Sequence, residues 1–279
     1  MFVLTIGTTW SAGVLYYLSF KSGLGTEAVA IDAITLAHGV IYSAAVLGIL
    51  GAHEMGHYIA CRLYDVDATL PYFLPFPLTI SGTLGAVIKI REPFPSRKAL
   101  FDIGVAGPIA GFVVLVPLLF FSIFHSTIVH TPIEPGSFSF GEPLLFKLAV
   151  WLKFGKIADG YQLNLHPIGF AAWFGMLATA INLLPFGQLD GGHLTHAAVG
   201  DSSRHISLAT AVATLGLCLL SYTWIVIAAA MVLMLYWIGP RHPRPLDEYE
   251  PIGRARVLVA IFAIVMFVLC FMPIPFERM

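Results

Sequence analysis

The sequence predicts an all-α polytopic membrane protein of about seven transmembrane helices, with a small membrane-associated β-hairpin between spans two and three. Three observations carry this prediction. Of 279 residues, 58% are hydrophobic and 11% charged, whereas soluble domains carry about 25% charged residues. With a mean hydropathy of +0.84, too few polar groups exist to coat a surface facing water. Apolar stretches long enough to cross a bilayer recur along the chain. Between the second and third of them, residues 67–95 hold Pro71, Pro75, Pro77, Gly82 and Gly85, then the β-branched run Ala86-Val87-Ile88-Lys89-Ile90, a signature of turn and strand.

The expected spans are residues 1–20, 34–60, 100–124 and 166–184, a long run over 206–238, and a last one from 257 to about 272 that Pro273 and Pro275 end. As one helix, 206–238 would extend about 50 Å at 1.5 Å per residue, against a hydrocarbon core of about 30 Å. It is therefore split at Ser221-Tyr222-Thr223 into two short spans. Residues 1–20 carry no Lys or Arg before their apolar run and no clear small-residue cleavage site, so they read as a retained span rather than a signal peptide. In residues 125–165, the apolar stretch 144–154 is flanked by Lys147, Lys153 and Lys156, which predicts an amphipathic helix lying on the outer face.

Lys and Arg concentrate in short cytoplasmic loops. With seven spans and a cytoplasmic N-terminus, ten of the 15 Lys and Arg residues fall inside, among them Arg62, Arg97, Arg204 and Arg254. Arg241-His242-Pro243-Arg244 reads as a basic loop that anchors this topology. The formal charge of −1 and the absence of a basic run set nucleic-acid binding aside. The three cysteines, Cys61, Cys218 and Cys270, are scattered and odd in number, so no disulfide framework is expected.

The second span contains His53-Glu54-Met55-Gly56-His57. Histidines at i and i+4 share one helix face, so both imidazoles can bind one Zn²⁺ while the intervening Glu reaches a metal-bound water. An ionisable Glu at the end of an apolar run is costly and functional by default. A zinc hydrolase needs a third protein ligand, and the best candidate is Asp190. It lies where the fourth span breaks at Pro185, followed by Gly191 and Gly192. Irregular backbone at membrane depth is tolerated only where protein or a water-filled cavity surrounds it.

Together, His53-Glu54-x-x-His57 and Asn182-x-x-Pro185-x-x-x-Leu189-Asp190-Gly191 resemble the site-2 protease family of intramembrane zinc metalloproteases. The resemblance extends to Gly82-Thr83-Leu84-Gly85-Ala86 and to Asp102 with Ala106-Gly107-Pro108-Ile109-Ala110-Gly111. It implies one Zn²⁺ per chain held by His53, His57 and Asp190, with Glu54 as general base. Asn182 is implied to hold the substrate backbone. The strand near Gly82, Gly85 and Ala86 would add the substrate as a further strand. The implied partners are a transmembrane segment of another protein and the lipid bilayer, with no nucleic acid. The expected location is the plasma membrane, with the active site towards the cytoplasm, and the expected role is regulated intramembrane proteolysis. The chain reads as one domain over 1–279, with a catalytic core of about 34–200 and C-terminal spans over about 206–273. No PDZ or CBS module is evident.

Two other readings compete with this one. A metal transporter needs ionisable groups at mid-membrane on several helices, and the other spans are nearly bare of them. A non-catalytic relative that binds transmembrane segments would not need Glu54 and three ligands. Cys61 is expected to be an inert packing residue, His193 and His196 to support the site without ligating, and His38 to be packed or interfacial. Asp102 is expected to be a helix N-terminal carboxylate followed by small-residue helix contacts at Gly104, Gly107 and Gly111.

Overall fold

The computed structural model describes residues 1–24, 29–130, 138–237, 239 and 243–278. The described chain is mostly helical, with three small two-stranded antiparallel sheets. Helix α1 (Phe2–Lys21) leads into α2 (Ala33–Leu63). The start of α2 is fixed by Asp32, whose Oδ1 accepts from the Thr35 backbone N–H at 2.8 Å, the side-chain cap that a helix N-terminus needs. Lys21 pairs with Asp32 at 2.8 Å. Together with the Thr35 bonds, it holds the exposed Asp32 carboxyl well below the usual carboxylate range.

Strands β1 (Tyr72–Pro75) and β2 (Thr83–Val87) form the hairpin expected between the second and third apolar helices. They pair as Tyr72↔Val87, Phe73↔Ala86 and Leu74↔Gly85, and an Ala68↔Ile90 bridge prolongs the ladder. Helix α3 (Arg97–His125) then starts at Ser96, whose Oγ accepts from Ala99 N–H at 3.2 Å. It runs antiparallel to α2 and packs along its length. Helix α5 (Pro167–Asn182) lies across both, and these three helices bury the main core around Ile49, Leu115, Leu119, Trp173 and Met176.

Small residues set the helix spacing, as they do where no water drives helices together. Gly13 of α1 faces Tyr42 of α2, and Gly39 of α2 faces Trp10 and Val14. The Thr9 and Ser43 hydroxyls bond across that contact at 2.6 Å. The β1–β2 turn is held against α1: Tyr16 O–H donates to the Ile80 carbonyl at 3.0 Å, and Gly82 lies on the Thr8 backbone.

Beyond the C-terminal end of α3, β3 (Thr127–His130) pairs with β5 (Tyr161–Asn164), and β4 (Phe138–Phe140) pairs with β6 (Phe276–Arg278). Sequence reading did not find these short strands. Helix α4 (Leu144–Phe154) matches the predicted amphipathic stretch. It buries Leu145, Phe146 and Ala149, leaving Trp151 and Leu152 exposed. Lys153 Nζ donates to the carbonyls of Ile123, Phe124 and Ser126 at the end of α3. His38 stacks on Tyr17, with ring centroids 3.7 Å apart, the packed position expected of it.

After α6 (Asp190–Val199), the predicted break at 221–223 is present: α7 (Ser203–Leu217) and α8 (Thr223–Trp237) are separate. The last helix, α9 (Arg254–Cys270), packs on α3 and α5. The count of seven spans is not reached by helix length. Among the described residues, two helices, α2 and α3, are long and apolar enough to cross a membrane. Helices α5, α7, α8 and α9 have 16, 15, 15 and 17 residues, which rise only about 22–26 Å at 1.5 Å per residue. In α1, Thr5, Thr8, Thr9, Ser11, Ser19 and Lys21 dilute the apolar run. Ile238, Arg241 and His242, which the sequence placed at a span end and in a basic loop, lie outside the described residues.

Gly82 has φ +78°, and a Cβ there would overlap the Thr8 backbone. Gly82→Ala should therefore lower the thermal unfolding midpoint in detergent, with backbone strain alone costing about 1–3 kcal/mol. Gly85→Ala, where φ is +122° but no atom lies within 4 Å of the new Cβ, should cost less. Differential scanning fluorimetry of both variants measures the difference.

Candidate metal centre

Helical geometry places His53 and His57 one turn apart on α2, facing α3. His57 Nδ1 lies 2.7 Å from the Ile103 carbonyl oxygen, and only an Nδ1–H can make that bond, so in the neutral ring Nε2 keeps its lone pair. Beneath the two imidazoles α3 has no side chains. Gly107 lies against the His57 ring and Gly111 against His53 Cβ, so a methyl group at Gly107 would occupy the space of the ring. Gly56 meets the Ala106 carbonyl in the same way, and a Cβ there would stand 2.5 Å from its oxygen. The glycines expected to make helix contacts thus form the floor of the centre. Their spacing of four matches that of the histidines.

Asp190 reaches the same point from the other side. The chain leaves α5 at Leu183, turns through Gly187 at φ +52°, and starts α6 at Asp190. Gly191 lies against the Leu183 and Leu184 carbonyls and Gly192 against those of Phe186 and Gly187. A side chain at either position would push α6 off this turn and Asp190 with it.

The three side chains converge. His53 Nε2 is 3.2 Å from Asp190 Oδ2, His57 Nε2 is 3.3 Å from Asp190 Oδ1, and the two Nε2 atoms are 3.1 Å apart. Among the described residues, this is the one group of three or more such side chains with metal-holding spacing. Donors each about 2.1 Å from a tetrahedral ion lie about 3.4 Å from one another, which is the spacing found. Asp190 Oδ2 is buried and makes no hydrogen bond, although an unpaired buried charge is costly. Lone pairs and carboxylate facing one another across 3 Å are the arrangement that a divalent cation resolves. Two imidazoles and one carboxylate are a donor set suited to zinc, with a fourth position left open. Asn182 Nδ2 lies 3.4 Å from His53 Nε2, at the edge of the group.

Two cavities meet here. One, of about 230 Å³, is lined by the three converging residues with Glu54, Ala86, Val87, Ile88, Asn182, Gln188 and His193. The other, of about 270 Å³, shares His53, Glu54, Ala86, Val87 and Asn182 and continues between α2 and α5 along Ile49, Leu50, Phe174, Leu177 and Ile181. Gly85 lines the second cavity, so β2 runs beside the cleft. Gly82 does not: it belongs to the turn packed on α1, and its small size serves that contact.

His196 lies apart from the converging residues, with Nδ1 3.0 Å from Ser203 Oγ, whereas His193 lines the cavity. Cys61 is fully buried packing, as expected. Asp102 does more than cap a helix: Arg256 Nη2 and Nε donate to it at 2.5 and 2.8 Å, and Tyr64 O–H donates to it as well. That cluster ties α2, α3 and α9 together just beyond the centre. Arg97 donates to the Ala197 and Ala198 carbonyls at the end of α6. Sequence reading missed both contacts, because their partners are far apart in the chain.

Residues 41–223 match the model of a protein family described as peptidase family M50. The chain is 30% identical over 246 residues to a protein of Arabidopsis thaliana named probable zinc metalloprotease EGY1, chloroplastic, covering 87% of this chain and 43% of that protein. It is 31% identical over 254 residues to probable zinc metalloprotease EGY2, chloroplastic, of Oryza sativa subsp. indica, covering 86% and 43%. It is 28% identical over 248 residues to probable zinc metallopeptidase EGY3, chloroplastic, of Arabidopsis thaliana, covering 81% and 41%. The chain thus spans less than half the length of these relatives. No solved structure matches it.

Because Gly107 underlies the His57 ring, Gly107→Ala should reduce zinc bound by the purified protein to well below one ion per chain. Gly48→Ala, on α2 with open space around the new Cβ, should leave it unchanged. Elemental analysis of both variants, with circular dichroism to show retained helix, tests this.

Proposed function

The chain belongs to peptidase family M50, and from that premise we propose that it is a zinc metalloendopeptidase hydrolysing a peptide bond within a transmembrane segment of another protein. The observation that carries the reading is the convergence of His53, His57 and Asp190 at metal-ligand spacing, in one cavity with a carboxyl group, Glu54, and a strand edge, β2. Zinc bound by these three residues would polarise the scissile carbonyl and acidify water.

The chain's own groups supply the rest. Glu54, buried at the same cavity wall, takes a proton from the attacking water on a carboxylate oxygen and delivers it to the departing amide nitrogen. The Ile103 carbonyl holds the His57 ring in place. Asn182 and the β2 backbone at Gly85 and Ala86 hold an unwound substrate. That role has a physical need behind it, because backbone N–H and C=O groups exposed at membrane depth cost several kcal/mol each unless paired. The cavity between α2 and α5, walled by Ile49, Leu50, Phe174, Leu177 and Ile181, receives apolar side chains.

A membrane setting is supported by α2 and α3 and by the apolar side chains exposed along α7 and α8, such as Val212, Leu215, Val226 and Leu233. Arg62, Lys89, Arg91, Arg97, Lys98 and Arg256 all belong to the end of the bundle that carries the centre. Their distribution supports a site on the side where basic loops remain untranslocated. The named relatives are chloroplastic proteins, so the expectation of a plasma membrane is not carried forward.

In detergent, with a quenched fluorescent peptide bearing a transmembrane segment as substrate, Glu54→Gln should lower the cleavage rate at least about 10²-fold, the lower bound for loss of a general base, with zinc retained. Asp190→Asn should lose both zinc and cleavage. A chelator should abolish wild-type activity, and added Zn²⁺ should restore it. Wild-type protein that holds zinc and cuts nothing, or a Glu54→Gln variant cutting at wild-type rate, overturns the reading.

Asn182→Ala should raise KM more than it lowers kcat, because its proposed work is to hold substrate. Steady-state kinetics on the same peptide measures the split.

A further inference from the structure

The proposed ligands and Glu54 do not account for all the polar side chains at the centre. Asn182, Gln188 and His193 also line the 230 Å³ cavity. A Lewis acid and a base leave room for one further contribution to peptide hydrolysis. As water adds to the carbonyl carbon, its oxygen gains charge, and donors fixed in advance around that oxygen stabilise the transition state more than the ground state.

His193 has the placement for that work. It stands three residues after Asp190 on α6, so the two side chains share a helix face. Its backbone is locked into the first turn, with His193 N–H donating to the Leu189 carbonyl at 3.0 Å. Its Cβ is seated against Gly104 of α3, and its ring meets Phe94 edge to face, with centroids 5.4 Å apart and planes at 64°. His193 lines the same cavity wall as Asp190 and Glu54, so a peptide group held in that cavity meets all three. Of the other two groups, Gln188 is exposed on the turn, and Asn182 sits beside His53 and between the two cavities.

We propose that His193 is a further catalytic residue, one that touches the substrate and donates a ring N–H to the scissile carbonyl oxygen as that oxygen gains charge. The inference rests on the peptidase reading above. An imidazole, neutral or protonated, always carries at least one N–H, so the role needs no change of protonation. No bond to His193 forms or breaks. The C–O bond from water forms, the C–N bond breaks, Glu54 carries the proton from water to the amine, and His193 keeps its own.

The test uses the full chain in detergent with a quenched fluorescent peptide bearing a Leu/Ala-rich segment, and a phosphinic peptide of the same sequence as a mimic of the tetrahedral species. His193→Ala should lower kcat about 10²–10³-fold, the effect of removing one such donor, with KM changed less than about threefold and zinc content unchanged. Affinity for the phosphinic peptide should fall in step with kcat/KM. His193→Gln, which restores an N–H donor on a side chain with the same Cβ, should recover at least about tenfold in kcat. It also decides the matter if the alanine variant does not fold.

Wild-type rates in His193→Gln and His193→Ala, or loss of zinc from either folded variant, overturn the inference. So does a fall in kcat with unchanged phosphinic-peptide affinity. These outcomes leave the peptidase reading standing, provided the wild type cleaves. A zinc-loaded wild type that does not cleave overturns both.

Discussion

The centre depends on how closely α3 approaches α2. Two helices carrying ordinary side chains pack with axes about 8–10 Å apart, and imidazoles projecting from one would be displaced by the residues of the other. Here the facing positions of α3 are Gly107 and Gly111, and Gly56 of α2 lies against the Ala106 carbonyl. The rings of His53 and His57 occupy the space that side chains on α3 would fill. The same closeness brings the Ile103 carbonyl to His57 Nδ1, so one packing contact fixes both the position and the tautomer of a proposed ligand.

A second constraint is that the irregular backbone after α5 must find partners where water is scarce. The turn over 183–189 meets it by folding α6 directly back onto its own carbonyls, a closeness that Gly191 and Gly192 permit. Asp190 is then the first residue of α6, held between the turn and the α2–α3 pair. The glycines after the carboxylate therefore have a steric reason, beyond ending a span. Arg97, bonding the carbonyls at the other end of α6, and the Tyr64–Asp102–Arg256 cluster brace the frame from the side of the basic loops.

The cleft has two characters. Between α2 and α5 its walls are aliphatic and aromatic, while beyond the centre they include Gln188 and His193. Strand β2 runs past both. Among the described residues β2 pairs with β1 alone, and its other edge is where the proposed extended substrate would lie. The hairpin is in turn held by its turn against α1 at Gly82 and Tyr16, so the strand beside the cleft is positioned by the first helix of the chain.

Asp190, far along the chain, was tied to the histidines by the family resemblance, but by itself the sequence determined the helical class, the hairpin after α2, the break between α7 and α8, and the shared face of His53 and His57. These are legible because they are local: helical periodicity puts i and i+4 on one face, Pro and Gly end elements, and hydropathy reports what each segment faces. The expectation of seven spans is not confirmed by helix length, since apolar composition does not say where a helix stops, and several stop at 15–17 residues. The small strands after α3 were invisible because their partners lie tens of residues away. Gly82 was drawn into the site by the family resemblance, and only packing assigned it to the α1 contact. Likewise, nothing in the spacing of Gly104, Gly107 and Gly111 said which side chains they would lie beneath, or that His193 would face the cavity while His196 would not. Those are distances between segments far apart in the chain, and the tertiary fold alone sets them.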